Sequence, residues 1–137
     1  MIPASWEQRA KHLEFLQSAI ARLSTNSFLV KGWTMTVTGA FLAVAAQFST
    51  WSVAATALAV TVGFWCLDSY YLRQERLFRS LYEKAAVGDP AAVPLFTMDV
   101  DRYGGPVGNA TVFLSRTLLL FYGIPVLIDV AGIAVLV

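Results

Sequence analysis

Apolar residues follow two patterns along the 137-residue chain. In residues 5–23 they recur at three- and four-residue intervals (Trp6, Leu13, Leu16, Ile20, Leu23), the spacing of one helix face, and Ser5 with Gln8 has the form of a capping box. Beyond residue 27 they merge into windows of about 20 residues, the length a helix needs to cross a bilayer core ~30 Å thick. Three such windows carry one charge each: 28–48 with Lys31, 52–72 with Asp68, and 117–137 with Asp129. Ser49, Thr50 and Trp51 between the first two leave room only for a tight turn, which predicts an antiparallel hairpin. Good helix formers continue past residue 72 as YYLRQERLFRSLYEKAAV, with Glu75, Arg79 and Glu83 at i,i+4 spacing, until Gly88. A helix over 52–87 is therefore predicted, roughly 54 Å long, crossing the bilayer and reaching ~20 Å beyond it. Its stripe of Leu77, Phe78, Leu81, Tyr82 and Ala85 suits the stripe of the first helix. Residues 88–110 hold four glycines and three prolines, which predicts an irregular segment, packed through Leu95, Phe96, Met98 and Tyr103.

The expected fold is an all-α integral membrane protein in four parts. These are an amphipathic helix (1–26), a transmembrane hairpin (27–72, spans 28–48 and 52–72), a helix and loop (73–116) and a third span (117–137). Composition agrees: the chain is 57% hydrophobic and 14% charged, with mean hydropathy +0.61, where soluble domains have about 45–50% and 25%. A soluble enzyme is excluded, and a net charge of +1 speaks against a duplex-DNA reader. The single cysteine, Cys66, removes intrachain disulfides and Cys-based zinc sites. The charged N-terminal stretch is unlike a signal peptide, so the N-terminus is expected to be retained.

Charge placement orients the spans. Arg9, Lys11 and Arg22 precede the first, Arg73, Arg76, Arg79, Lys84 and Arg102 follow the second, Arg116 opens the third, and the hairpin tip has no charge. The N-terminus and residues 73–116 are expected in the cytoplasm and the C-terminus outside. The alternative for the third span is a re-entrant segment broken around Gly123, Pro125 and Asp129.

Three intramembrane charges are the candidate functional residues. Lys31 and Asp68 each lie about one turn inside their spans, on adjacent helices, either paired or with Lys31 snorkelling to the headgroups and Asp68 bonded locally. Asp129 lies ~20 Å beyond Arg116, past the bilayer midplane. It is either one member of a carboxylate ring around an oligomeric cation pore, with Thr111, Ser115 and Tyr122 nearer the inner mouth, or a carboxyl buried within the protein or reaching the outer interface. Gly39 and Ala43 form a small-xxx-small pair that favours helix association. Trp33, Trp51, Trp65, Tyr70 and Tyr71 read as interfacial anchors. Arg73, Arg76, Arg79, Lys84 and Arg102 either only set topology or line a vestibule for an anionic ligand such as a nucleotide or oligonucleotide. Asp99 and Asp101 lack the ligand number of a calcium loop, and His12 is expected on a helix surface. No catalytic constellation, metal site or cofactor motif is evident.

The stretches NSFLVKGWTMTVTGA (26–40), FWCLDSYYLRQERLFRSLYEKA (64–85), FTMDVDRYG (96–104) and SRTLLLFYGIPVLI (115–128) resemble a family of small bacterial three-span inner-membrane proteins. Their arrangement is similar to that of the SLATT-like and Hailong-type membrane effectors of nucleotide-controlled anti-phage systems. The resemblance implies a homo-oligomeric pore-forming subunit in the bacterial inner membrane, governed by a signal from a partner nucleotidyltransferase. It transfers no binding residue. The alternative expectation is a non-conducting scaffold or regulatory anchor that recruits a cytoplasmic partner.

Overall fold

The computed structural model describes residues 6–87 and 92–137, and its regular elements there are all helices. They are α1 (Trp6–Phe48), α2 (Trp51–Val87), α3 (Val100–Tyr103), α4 (Asn109–Phe113) and α5 (Arg116–Leu136). Three of them, α1, α2 and α5, are long and apolar enough to cross a membrane.

The predicted separation of an amphipathic helix from the first span does not occur: α1 is one helix of 43 residues. Thr25, Asn26 and Ser27 resemble a break, yet the segment has no proline and its hydroxyls are satisfied. Thr25 Oγ1 donates to the Ala21 carbonyl at 3.0 Å, the one-turn return that lets threonine persist inside a helix. Thr34, Thr36, Thr56 and Thr61 do the same. The Ser5 capping box and the Gly88 stop lie outside the described residues. Trp51 belongs to α2, so the turn between α1 and α2 is only Ser49 and Thr50. Ser49 takes a left-handed φ of 50°, and Thr50 N donates to the Ala45 carbonyl at 3.1 Å, closing α1 with a Schellman bond.

The chain divides into two compact units. One comprises Met1–Asn26 and Tyr71–Gly108, described over 6–26, 71–87 and 92–108. Its core joins Leu16 of α1 to Leu77 and Leu81 of α2, with Val93 and Val100 from the connecting segment. Of the predicted loop anchors, Tyr103 packs against this core, whereas Phe96 and Met98 stay largely exposed. The segment is also not wholly irregular. Asp99 caps α3 by accepting from Arg102 N at 3.1 Å, and Gly104 ends it. A Cβ on Gly104 would stand 2.5 Å from the Val100 carbonyl oxygen, so only glycine fits.

Basic and aromatic side chains hold this segment. Lys84 Nζ donates to the Tyr103 carbonyl (2.9 Å) and Arg73 Nε to the Val107 carbonyl (3.1 Å). His12, expected on a surface, is buried, with Nε2 donating to the Thr97 carbonyl at 2.8 Å. Beside it Phe96 adopts φ 61° and places its ring against His12 and Phe15.

The second unit comprises Ser27–Tyr70 and Asn109–Val137. Its large apolar side chains point outward: Phe28, Trp33, Leu120, Ile124 and Leu127 are each more than half exposed. Inside lie small or polar residues, among them Thr34, Thr38, Ala45, Ala54, Ala57, Thr61, Asp68 and Asp129. That arrangement is compatible with apolar surroundings. Trp65 is no simple interfacial anchor, since it stacks on Phe113 with centroids 4.5 Å apart and donates to the Phe113 carbonyl at 3.1 Å, fastening α4. α5 runs unbroken through Gly123 and Pro125 for 21 residues, about 31 Å, so the break considered for the third span is absent.

Candidate functional site: two polar layers inside the three-helix unit

Counted outward from the Ser49–Thr50 turn, Lys31 and Asp68 each lie 18 residues away, and Thr38 and Thr61 each lie 11 away. An antiparallel hairpin with that turn sets the members of each pair opposite one another. On α5, Tyr122 and Asp129 repeat the same separation of seven residues. Seven residues are close to two helical turns and return to the same face about 10 Å along the axis. Each of the three helices thus contributes one member to each of two layers.

The first layer is centred on Asp68, which is fully buried. Lys31 Nζ donates to its Oδ2 at 2.5 Å, and the Tyr122 hydroxyl donates to the same oxygen at 2.9 Å. Ser27 Oγ donates to Oδ1 and accepts from Lys31 Nζ at 2.9 Å. The ammonium also lies 5.8 Å from the Phe121 ring centroid, and the Lys31 side chain is 21% exposed. Three donors, one of them the compensating cation, therefore serve a single buried carboxylate, the condition under which such a charge is tolerated.

The second layer has no cation. Thr38 and Thr61 hydroxyls lie 2.9 Å apart, and Thr61 Oγ1 reaches Asp129 Oδ2 at 2.8 Å. Thr61 has one hydroxyl proton to share between Asp129 and the Ala57 carbonyl at 2.9 Å, so Thr38 supplies the Thr61–Thr38 bond. Asp129 Oδ1 is buried with no hydrogen-bond partner among the described residues. Thr34 bridges the two levels along α1, buried one turn from both Val30 and Thr38. Pro125, buried between Tyr122 and Asp129, has no N–H for the Phe121 carbonyl.

The carboxyl ring considered for Asp129 needs it on an outer face, available to other copies. It lies instead inside its own three-helix unit, fully buried. Gly39 and Ala43 have the opposite disposition. Both are exposed, an added Cβ on Gly39 would meet nothing within 4 Å, and Gly39 opens on an apolar groove with Leu42, Leu120 and Ile124. Their packing role within the chain is thereby removed, leaving a smooth outer strip.

The five basic candidates do not converge on one opening. Arg73 and Lys84 hold loop carbonyls, Arg79 makes an ion pair with Glu75 (2.7 Å), Arg102 lies over the Tyr103 ring (5.4 Å), and Arg76 is half-buried. Thr38 and Thr61 are the site residues that sequence reasoning missed. The signal that finds them is their equal distance from the turn. Comparison with protein-family models, curated proteins and solved structures returns no match for the chain.

Proposed function

We propose that the protein is an integral membrane protein of a bacterial cytoplasmic membrane that acts as a homo-oligomeric ion-conducting effector, its path following the two polar layers within each copy. The N-terminus and residues 73–116 face the cytoplasm in this reading, which the distribution of Lys and Arg supports. The observation that carries it is Asp129, a fully buried carboxyl with one oxygen unpartnered among the described residues, inside helices whose outer faces are apolar. Ionisable residues in such surroundings are costly and mark ion or proton pathways. The exposed Gly39 and Ala43 strip supplies a surface on which copies approach closely. Nucleotide control, as the resemblance implies, places the ligand and a nucleotidyltransferase partner on the cytoplasmic side.

One observation favours a second reading, the non-conducting scaffold. Arg79 and Arg102 are engaged within their own unit, and Arg73 and Lys84 hold the Val107 and Tyr103 carbonyls, which fastens that segment to α2 as a surface for a partner. Expression in bacterial cells with a potential-sensitive dye separates the two. The effector reading expects depolarisation by the wild type, alone or with candidate cyclic or linear oligonucleotides, and its loss in Asp129→Asn. Inserted, folded protein that leaves the potential unchanged in every condition supports the scaffold.

A further inference from the structure

We propose that the species carried at Asp129 is the proton and that Asp129, with Thr61 and Thr38, forms a proton-binding site closed to metal cations. This rests on the conducting reading and names its ion. A hard metal cation needs about six oxygen ligands at fixed distance. The second layer supplies the Asp129 carboxyl and the Thr38 and Thr61 hydroxyls; the two hydroxyls are engaged with each other, and Thr61 also with the Ala57 carbonyl and the Asp129 carboxyl. No group of three His, Cys, Asp or Glu exists among the described residues to enlarge the set. Asp129 is fully buried, and its Oδ1 has neither solvent exposure nor a hydrogen-bond partner among the described residues.

A proton has none of these demands. As the O–H bond of a hydronium or hydroxyl donor breaks, an O–H bond forms on the Asp129 carboxyl and converts the carboxylate to a neutral acid; release is the reverse transfer to the next oxygen acceptor, with the charge carried by the proton alone. Hydroxyl groups of Thr38 and Thr61 rotate between acceptors and extend the path by exchange of their protons. The titratable groups of the unit's interior are otherwise those of the first layer: Lys31 from α1, Asp68 from α2 and Tyr122 from α5. There the Lys31 ammonium compensates the Asp68 carboxylate, which leaves no net negative charge to hold a metal cation, while the Asp68 carboxylate with its Tyr122 and Ser27 donors offers a second relay point.

The test is ion flux into proteoliposomes of the full chain, with and without candidate oligonucleotides. Entrapped pyranine reports acid-driven proton entry under a clamped potential, and entrapped potassium- and sodium-sensitive dyes report the metals. The expected result is proton entry without potassium or sodium entry, a fall of about a hundredfold in Asp129→Asn, the lower range for loss of a positioned proton-transfer group, and substantial retention in Asp129→Glu. Thr61→Val, which keeps the shape and removes the hydroxyl, is expected to slow entry as well. Metal entry at rates matching the proton's overturns the assignment and leaves the conducting reading in place, whereas proton entry equal in Asp129→Asn and wild type overturns both. Folded wild-type oligomer that passes no ion overturns both. Retained circular dichroism and elution volume in Asp129→Asn and Asp129→Glu establish that the variants are folded.

Discussion

Asp68 accepts from three donors, one of them the Lys31 ammonium, whereas Asp129 accepts from one hydroxyl, and that difference sets how each behaves at the scale of the residue. Asp68 has Lys31, so its charge is compensated and its three donors lock α1, α2 and α5 together. Removing only one partner of such a pair leaves a buried charge uncompensated at a cost of ~3–5 kcal/mol, whereas removing both is far milder. Lys31→Met is therefore expected to lower the melting temperature in detergent sharply, and Lys31→Met with Asp68→Asn to recover much of the loss. Equal and additive losses would mean that the two side chains act independently. Asp129 has hydroxyl neighbours alone, and Asp129→Asn preserves its bond from Thr61, so its substitution should change conduction more than stability. His12 is the third residue whose setting decides its role. His12→Ala removes the donor to Thr97 and leaves a part-buried carbonyl unpaired, a local cost of ~1 kcal/mol. Hydrogen exchange and limited proteolysis should report faster opening confined to residues 92–108. Unchanged protection there would show that Arg73 and Lys84 suffice to hold the segment.

Helices and turns repeat the point that each polar group needs a destination. α1 persists through Thr25 and Ser27 because both hydroxyls find acceptors. The short turn persists although Ser49 takes a left-handed conformation that costs a residue with a side chain about 1 kcal/mol or more. Ser49→Gly relieves that strain and is expected to raise the melting temperature modestly, while Gly104→Ala, blocked by the Val100 carbonyl, lowers it. A fall on Ser49→Gly would show that the serine conformation is repaid by unfolded-state entropy. The three long apolar windows were legible in the sequence, because about 20 apolar residues with one charge have few other uses. Less legible was the continuity of α1: threonine and serine look like helix stops until their acceptors are known. Nothing near His12 in sequence points to the Thr97 carbonyl 85 residues away. The pairing of Thr38 with Thr61 stood in the numbering throughout, as equal distances from the turn, and hydropathy alone passes over it because threonine reads as neutral. The outward placement of Gly39 and Ala43 was open in the sequence, since small pairs serve contacts within and between chains alike.

Across the molecule, polarity is inverted in one unit and ordinary in the other. Residues 6–26, 71–87 and 92–108 bury leucine and valine and spend their basic side chains on carbonyls and carboxylates, the economy of a unit in water. Residues 27–70 and 109–137 bury threonine, serine and aspartate and expose phenylalanine, leucine and isoleucine, which fits hydrocarbon. The two layers seven residues apart are what such a unit contains besides packing, and conduction along them is the central claim. Current through planar bilayers holding the purified full-length oligomer, recorded with a pH gradient at equal salt and with candidate oligonucleotides added, tests it most directly. Wild-type current whose reversal potential follows the pH gradient, with Asp129→Asn reduced to the baseline, is the predicted result. A folded wild-type oligomer that stays silent throughout, or an Asp129→Asn current indistinguishable from wild type, would contradict it.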